Sequence, residues 1–394
     1  MFEIRSEDKI LIACISSDSE RFEQIRRLLD SGIDWDYLIR SAQRHRVMPL
    51  VYQILNKRFA ENVPRLFFNR IKEAYQDSIK VNLMLTGELL KLLKLFADNH
   101  IAAIPYKGPA LAQSLYGDVS LRQFGDLDIL AHKNDVLKIK ELLINAGGRP
   151  ELDLTASQEV EYLNSHNEYA FFCNKARIYV EVHWEVTERF FTFPLDAERL
   201  WDRLVCVHLA GRQVLTLSPE DSLLILCAHG TKHLWERLGW ICDVARLIDV
   251  NQDLKWEEAF EHATRLGSER MLFLGLFLAN DLLGARLPEE VSQRMLADKS
   301  VRRLASEIRQ RLFRPGNDSP GIIESALFHL KARERARDRI KYLLRLALQT
   351  TVNDWLFLPL PRPLFFLYYP LRPIRLALKY GANLLKRIQA QRLE

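Results

Sequence analysis

The sequence predicts an α+β protein, a small mixed β-sheet core flanked by N-terminal and C-terminal helical regions. Three observations predict it. Apolar residues recur at three- and four-residue spacing through roughly the first hundred positions. That period gives way to short apolar runs and strict alternation between Ile101 and Val186, the signature of strands. From Ser218 the helical period returns and holds to Gln349. The organisation expected is a helical region over 1–86, an α/β core over 87–200, a second helical region over 201–350 and a proline-, aromatic- and basic-rich tail over 351–394.

The first helices are read in DSERFEQIRRLLDSG, DWDYLIRSAQRHRVMPLVYQILN and PRLFFNRIKEAYQDSIKVNLML, and ELLKLLKLFADNH continues the pattern. IAAIPYKG is short, apolar and ends at Gly108, which marks a strand entering a turn. PALAQSLYG follows as a helix with Pro109 in its first turn, where the missing amide hydrogen costs nothing. FGDLDILAH is the next strand, and Asp135 is placed to cap the helix DVLKIKELLINAGG, which its glycines end. EYAFFCN and ARIYVEVHWEV read as two strands of a hairpin. SPEDSLLILCAHGTKHLW opens the second helical region, with Ser218 and Asp221 spaced as a capping box.

Bulk properties narrow the function classes. With 394 residues, 48% apolar and 27% charged, the chain suits a folded protein with a substantial core. A net charge of +5 is too modest to argue for a nucleic-acid partner on its own. Cys14, Cys173, Cys206, Cys227 and Cys242 are scattered without a CxxC pair, which fits reduced thiols in a cytoplasmic protein better than disulfides or a zinc site. No apolar stretch resembles a signal peptide or reaches the roughly 20 residues of a membrane helix.

The chemistry is concentrated in RQFGDLDIL, residues 122–130. On a strand, Leu127 and Ile129 turn to one face while Asp126 and Asp128 share the other. Two carboxylates that close call for a cation, and hard oxygen ligands suit Mg²⁺. In ARIYVEVHWEV, alternation likewise sets Glu181 and His183 on the polar face. If the two strands are neighbours with polar faces aligned, three carboxylates converge. Such a set can hold two divalent ions about 3.5–4 Å apart, the arrangement used for in-line phosphoryl and nucleotidyl transfer. The plain alternative for each strand is a solvent-facing acid.

IPYKGPALAQSLYGDVSLRQFGDLDIL, YVEVHWEV and LCAHGTKHLWERLGWICDVARLID together resemble the bacterial uncharacterised nucleotidyltransferase family of the polymerase-beta-like superfamily. RHRVMPLVYQIL carries a weaker similarity. The resemblance implies Mg²⁺-dependent transfer of a nucleoside monophosphate from a nucleoside triphosphate, ATP included, to a hydroxyl acceptor, with release of pyrophosphate. It makes Asp126, Asp128 and Glu181 the catalytic and metal-holding residues, with two Mg²⁺ ions expected and Mn²⁺ able to substitute. Lys107, Gly108, Arg122 and His183 become the nucleotide-binding candidates, and His229, Lys232 and His233 the candidates to line the pocket, on a basic helix that also carries Trp235 and Arg237. Where the superfamily usually has Gly-Ser, this chain has Lys107-Gly108-Pro109, and proline offers neither amide hydrogen nor hydroxyl.

Each assignment has a rival. Arg122 could simply pair with Asp118 or Asp126, and His183 could be a structural partner of an acid. His229 and His233, four apart on a helix, have the spacing of zinc ligands and with Asp243 would suggest a hydrolase, although HExxH is absent. The acceptor is left open among a small molecule, a protein and RNA. Rival functions are a catalytically silent nucleotide- or partner-binding module and an RNA-modifying transferase. The tail LFLPLPRPLFFLYYPLRPIRLALKYG, extended by Lys386 and Arg387, reads as an extended packing arm, as a peripheral contact with the inner membrane surface, or as aromatics that stack on nucleic-acid bases.

Overall fold

The computed structural model describes residues 4–16, 21–173, 177–314, 320–358, 360, 362–376 and 378. Four helices open the chain: α1 (Ser6–Ile15), α2 (Arg21–Leu29), α3 (Trp35–Arg44) and α4 (Met48–Arg58). The sequence gives no stripe for α1, because KILIACI is apolar nearly all round and its helix is buried between neighbours. Asp34 caps α3 by accepting the Tyr37 amide at 2.9 Å. The segment expected as one helix over 34–56 breaks between α3 and α4, where Arg46 is in the left-handed region at φ 55°. The next two predicted helical segments fuse into α5 (Arg65–Asp98), a single helix of 34 residues.

The α/β core then runs β1 (Ala103–Pro105), α6 (Gly108–Tyr116), β2 (Asp126–Ala131), α7 (Val136–Asn145), β3 (Arg149–Pro150), α8 (Ala156–Ser165), β4 (Glu168–Cys173) and β5 (Ile178–His183). The sheet has five strands in the order β1-β2-β5-β4-β3. It is mixed: β2 and β5 are parallel, and the other pairs are antiparallel, including the predicted β4–β5 hairpin. Leu127, Ile129, Val180 and Val182 point to the back of the sheet and pack with Leu89, Phe96, Ile139 and Leu143 from α5 and α7. The front face is left for polar residues.

Two capping expectations need correction. Asp135 occupies the N-cap of α7 but makes no side-chain cap, because it ends a 3-10 turn and is itself helical at φ −92°, ψ −10°. A side-chain cap needs extended backbone at that residue. Ser218 is extended and does accept the Asp221 amide at 3.2 Å. The Asp221 carboxylate is engaged by Arg203 at 2.8 and 3.0 Å, so the capping box is only half closed.

The region expected to be helical from 201 begins instead with a hairpin, β6 (Val205–Leu209) and β7 (Arg212–Thr216). Its two turn residues, Ala210 and Gly211, both have positive φ (47° and 79°), the requirement of a tight two-residue turn. Alanine in the first place is what hides it from sequence reading. Helices then follow as α9 (Pro219–Lys232), α10 (Leu238–Val250), α11 (Trp256–Leu266), α12 (Glu269–Leu283), α13 (Glu289–Ala297), α14 (Lys299–Leu312), α15 (Ile322–Lys331) and α16 (Ala336–Leu348). α9, α10 and α12 share one large apolar core with α1, α3 and α4. The N-terminal and C-terminal helices therefore form one body against the sheet.

The described part of the tail packs on the α/β core. In α17 (Val352–Phe357), Trp355 is buried, and so is Tyr368, whose hydroxyl donates to the Leu358 carbonyl at 2.8 Å. Arg372 is tied to Asp354 at 2.8 Å. Lys386 and Arg387 lie outside the described residues. Among the described residues no helix is long and apolar enough to cross a membrane.

Buried histidines make the fold sensitive to acid. Burial pushes His45 and His233 down to about 3, and His166 and His329 down to about 4. Their folded values lie below that of a free imidazole, so the unfolded chain takes up protons first as pH falls below about 6.5. Stability is full above that pH and is lost toward pH 4, with His45 alone worth on the order of 4 kcal/mol near pH 3. Urea midpoints between pH 7 and 4 should fall steadily, and a flat profile would contradict the assignment.

Candidate active site

The parallel pairing of β2 with β5 sets Asp126 beside Tyr179 and Asp128 directly beside Glu181. This register brings the three predicted carboxylates onto the front face of the sheet, where they line a cavity of ≈ 390 Å³. Burial raises the Asp126 carboxyl, and the charges of Asp128 and Glu181 raise it further. Burial would raise Asp128 as well, but Lys107 and His183 outweigh it and hold that carboxyl well below the usual range.

Two cations neutralise the acids in part. Lys107 Nζ is 3.1 Å from Asp128 Oδ1. His183 is 3% exposed and sits among three acids: Nε2 is 3.3 Å from both Asp128 and Glu181, and Nδ1 is 3.2 Å from Glu168. Neither ring nitrogen makes an aligned hydrogen bond, so these are ion contacts. Burial alone would lower the imidazole, yet Glu168, Asp128 and Glu181 lift it to about 9. His183 is thus an imidazolium at neutral pH. Four carboxylates against two cations leave the cluster short of positive charge.

That deficit is the test of whether a divalent ion fits. Among the described residues, Asp128, Glu181 and His183 bring ligand atoms within 4.8 Å of one another. Hard carboxylate oxygens suit Mg²⁺, and the imidazole would become a ligand only by giving up its proton to the ion's charge. Asp128, Glu181 and His183 form the group that could hold an ion, with Asp126 on the same face of the sheet.

The remaining candidates divide. Gly108 begins α6 with φ 55°, a backbone conformation that accounts for glycine without a ligand. Arg122 pairs with neither Asp118 nor Asp126. Its guanidinium grips Asp243, with Nε and Nη2 both 2.9 Å from the carboxylate, and the Tyr116 hydroxyl donates to the same Asp243 at 3.0 Å. Its charge is spent on a buried partner 121 residues away. The same contact removes Asp243 from any zinc site with His229 and His233.

His229, Lys232 and His233 do line the cavity, on its helical wall opposite the sheet. Burial pushes both imidazoles down, so they are neutral, and they cluster with Trp240, each ring centroid 5.3 Å from the indole. Lys232 pairs with Glu188 at 2.7 Å. The glycine of this His-Gly-x-Lys-His segment is structural. A Cβ on Gly230 would lie 2.6 Å from the ring of Trp235, which is fully buried behind α9. Gly230→Ala should cost about 1–3 kcal/mol or more by overpacking, measurable as a lowered urea midpoint.

Arg237, expected on the basic pocket-lining helix, does line the cavity, whereas Glu168 and Arg46 escape sequence reading. Glu168 faces His183 through the hairpin register, which pairs those two positions directly. Counting back along the alternating hairpin from His183 is the signal that would find it. Arg46 and Arg237 come from the α3–α4 turn and from the residue before α10. The weak similarity in RHRVMPL is the only hint of Arg46.

A mixed sheet presenting three acids to a cavity under a helical wall defines a protein of nucleotidyltransferase type. The chain belongs to the family described as uncharacterised nucleotidyltransferase, which it matches over residues 31–284. Among solved structures it is similar to the antibiotic-resistance factor ANT(2'')-Ia in solution, at 13% identity and a TM-score of 0.32, covering 47% of this chain and 91% of that one. It is similar to ANT(2")-Ia in complex with adenylyl-2"-tobramycin at 15% identity, a TM-score of 0.32 and 46% and 95% coverage. An antigenic nucleotidyltransferase-like protein from Paracoccidioides brasiliensis is similar at 14% identity, a TM-score of 0.30 and 53% and 94% coverage. No curated protein matches the chain in sequence.

Proposed function

We propose that the protein transfers a nucleoside monophosphate from a nucleoside triphosphate to a hydroxyl acceptor and releases pyrophosphate. The observation that carries this reading is the side-by-side pairing of Asp128 with Glu181 on the sheet face that also bears Asp126. Asp126, Asp128 and Glu181 would hold Mg²⁺, for which Mn²⁺ would substitute. A bound divalent ion supplies charge to the phosphates and acidity to an oxygen beside it.

The chain's own groups do the rest. Glu181, with 22% of its side chain open, takes the acceptor proton as the hydroxyl oxygen bonds to the α-phosphorus. The bond from that phosphorus to the pyrophosphate oxygen breaks, and its electron pair leaves with the pyrophosphate. His183 fixes the carboxylate positions from below, and the neutral His229, His233 and Trp240 offer flat faces for a base or an acceptor ring. Lys107 balances charge at the site while it stays on Asp128.

Purified protein incubated with each α-³²P-labelled nucleoside triphosphate and Mg²⁺, with and without cell extract, should move label onto a small molecule, a protein or RNA. Label on RNA would identify the RNA-modifying reading. Absence of any labelled product alongside Mg²⁺-dependent nucleotide binding would favour the catalytically silent module, a reading supported by the fixed Lys107–Asp128 pair and the missing amide of Pro109. The reading includes a cytoplasmic site of action. Exposed Phe357, Phe366 and Tyr369 support peripheral contact of the tail with the inner membrane surface.

A further inference from the structure

Five long basic side chains line the cavity: Arg46, Lys107, Arg122, Lys232 and Arg237. Three are neutralised from within, by Asp128, Asp243 and Glu188. Arg46 and Arg237 have no ion pair or side-chain hydrogen bond among the described residues, and Glu236, which also lines the cavity, pairs with neither. Two half-buried guanidiniums facing one space, neither paired with an anion, repel each other. The fold goes to some length to keep them there.

Arg46 sits in the turn between α3 and α4, where its positive φ of 55° costs on the order of 1–3 kcal/mol for a residue with a side chain. The turn is clamped to the start of α10. The Gly239 amide donates to the His45 carbonyl at 3.0 Å, and the Leu238 amide donates to His45 Nδ1 at 3.4 Å. A Cβ on Gly239 would approach that carbonyl to 3.0 Å, so the close docking itself depends on glycine. Arg237 immediately precedes α10, and its guanidinium lies 5.2 Å from the Trp240 ring centroid, which fixes its direction. Burial and the charge of Arg237 lower the proton affinity of Arg46, while Asp126 and Asp128 raise it, so its guanidinium feels both its neighbour and the carboxylate cluster.

We propose that Arg46 and Arg237 form the binding site for the terminal phosphates of the donor, the pair that leaves as pyrophosphate. This rests on the transfer reading above and deepens it. A triphosphate whose α-phosphate lies at Asp126, Asp128 and Glu181 extends its anionic end toward the two arginines, whose forked donors suit phosphate oxygens bidentately. The site selects nucleoside triphosphates over monophosphates, and the N-terminal helical region supplies half of it.

Isothermal titration of the full-length chain with MgATP, pyrophosphate and AMP tests this. Arg46→Gln and Arg237→Gln should each weaken ATP and pyrophosphate binding about 10- to 100-fold and change AMP binding less than about twofold. Arg46→Lys should fall between, since it keeps the charge and loses the fork. It also serves if Arg46→Gln disturbs the turn, which a thermal midpoint would reveal. Variants that bind ATP and pyrophosphate like the parent, or that lose AMP equally, overturn the assignment alone. A parent that binds neither ATP nor pyrophosphate overturns the transfer reading with it.

Discussion

Asp128→Asn is expected to reduce label transfer by at least about 10³-fold, some 4 kcal/mol of transition-state stabilisation, and to lower the stability of the fold as well. Both effects follow from the charge balance around Asp128. The residue is 6% exposed and touches both Lys107 and His183, so it is the acid on which the cations converge. Asparagine keeps its size and one acceptor oxygen but cannot bring a full negative charge to a metal. Glu181 and Glu168 still face the imidazolium, but the buried Lys107 ammonium loses its ion-pair partner, which outweighs the relief of crowding at Asp126. Transfer assays beside thermal unfolding give both numbers, and a variant with parental activity would remove Asp128 from the mechanism.

Arg122→Ala should destabilise the protein by about 3–5 kcal/mol, the largest stability effect anticipated from one polar side chain. Asp243 is 2% exposed in its side chain and draws two hydrogen-bonding nitrogens from Arg122 and one hydroxyl from Tyr116. Removing the guanidinium leaves a buried charge with a single neutral donor. Lysine restores charge without the fork, so Arg122→Lys should recover only part of the loss. Urea unfolding measures this. If stability were unchanged while ATP affinity fell, Arg122 would be the phosphate ligand that its place beside the Asp-x-Asp strand suggests.

The Arg122 case shows where a linear reading stops. Strand alternation alone puts Asp126 with Asp128 and Glu181 with His183, since the two-residue period is a local property of the backbone. The convergence of the two pairs depends on β2 and β5 being neighbours, which their matching polar faces suggest and the parallel register establishes. Asp243 lies 121 residues from Arg122, and nothing local in either segment couples them. Arg46 is concealed differently. Its segment scans as helix throughout, and the one sequence sign of the break is Pro49 in the first turn of α4, while the left-handed arginine itself is held by docking on α10. The β6–β7 hairpin is hidden for a similar reason, its turn using alanine where asparagine or aspartate would announce it.

One consequence of α5 concerns mechanics. At 34 residues it is about 50 Å long, and it is anchored in both apolar cores: Ile71 in the one shared by the terminal helices, Leu85, Leu89, Leu92 and Phe96 in the one behind the sheet. A beam held at both ends transmits displacement instead of absorbing it. Loosening the N-terminal bundle would therefore be felt behind the carboxylate strand, and trimming the chain to its α/β portion would remove both Arg46 and the anchorage that holds the sheet in register with the helical wall.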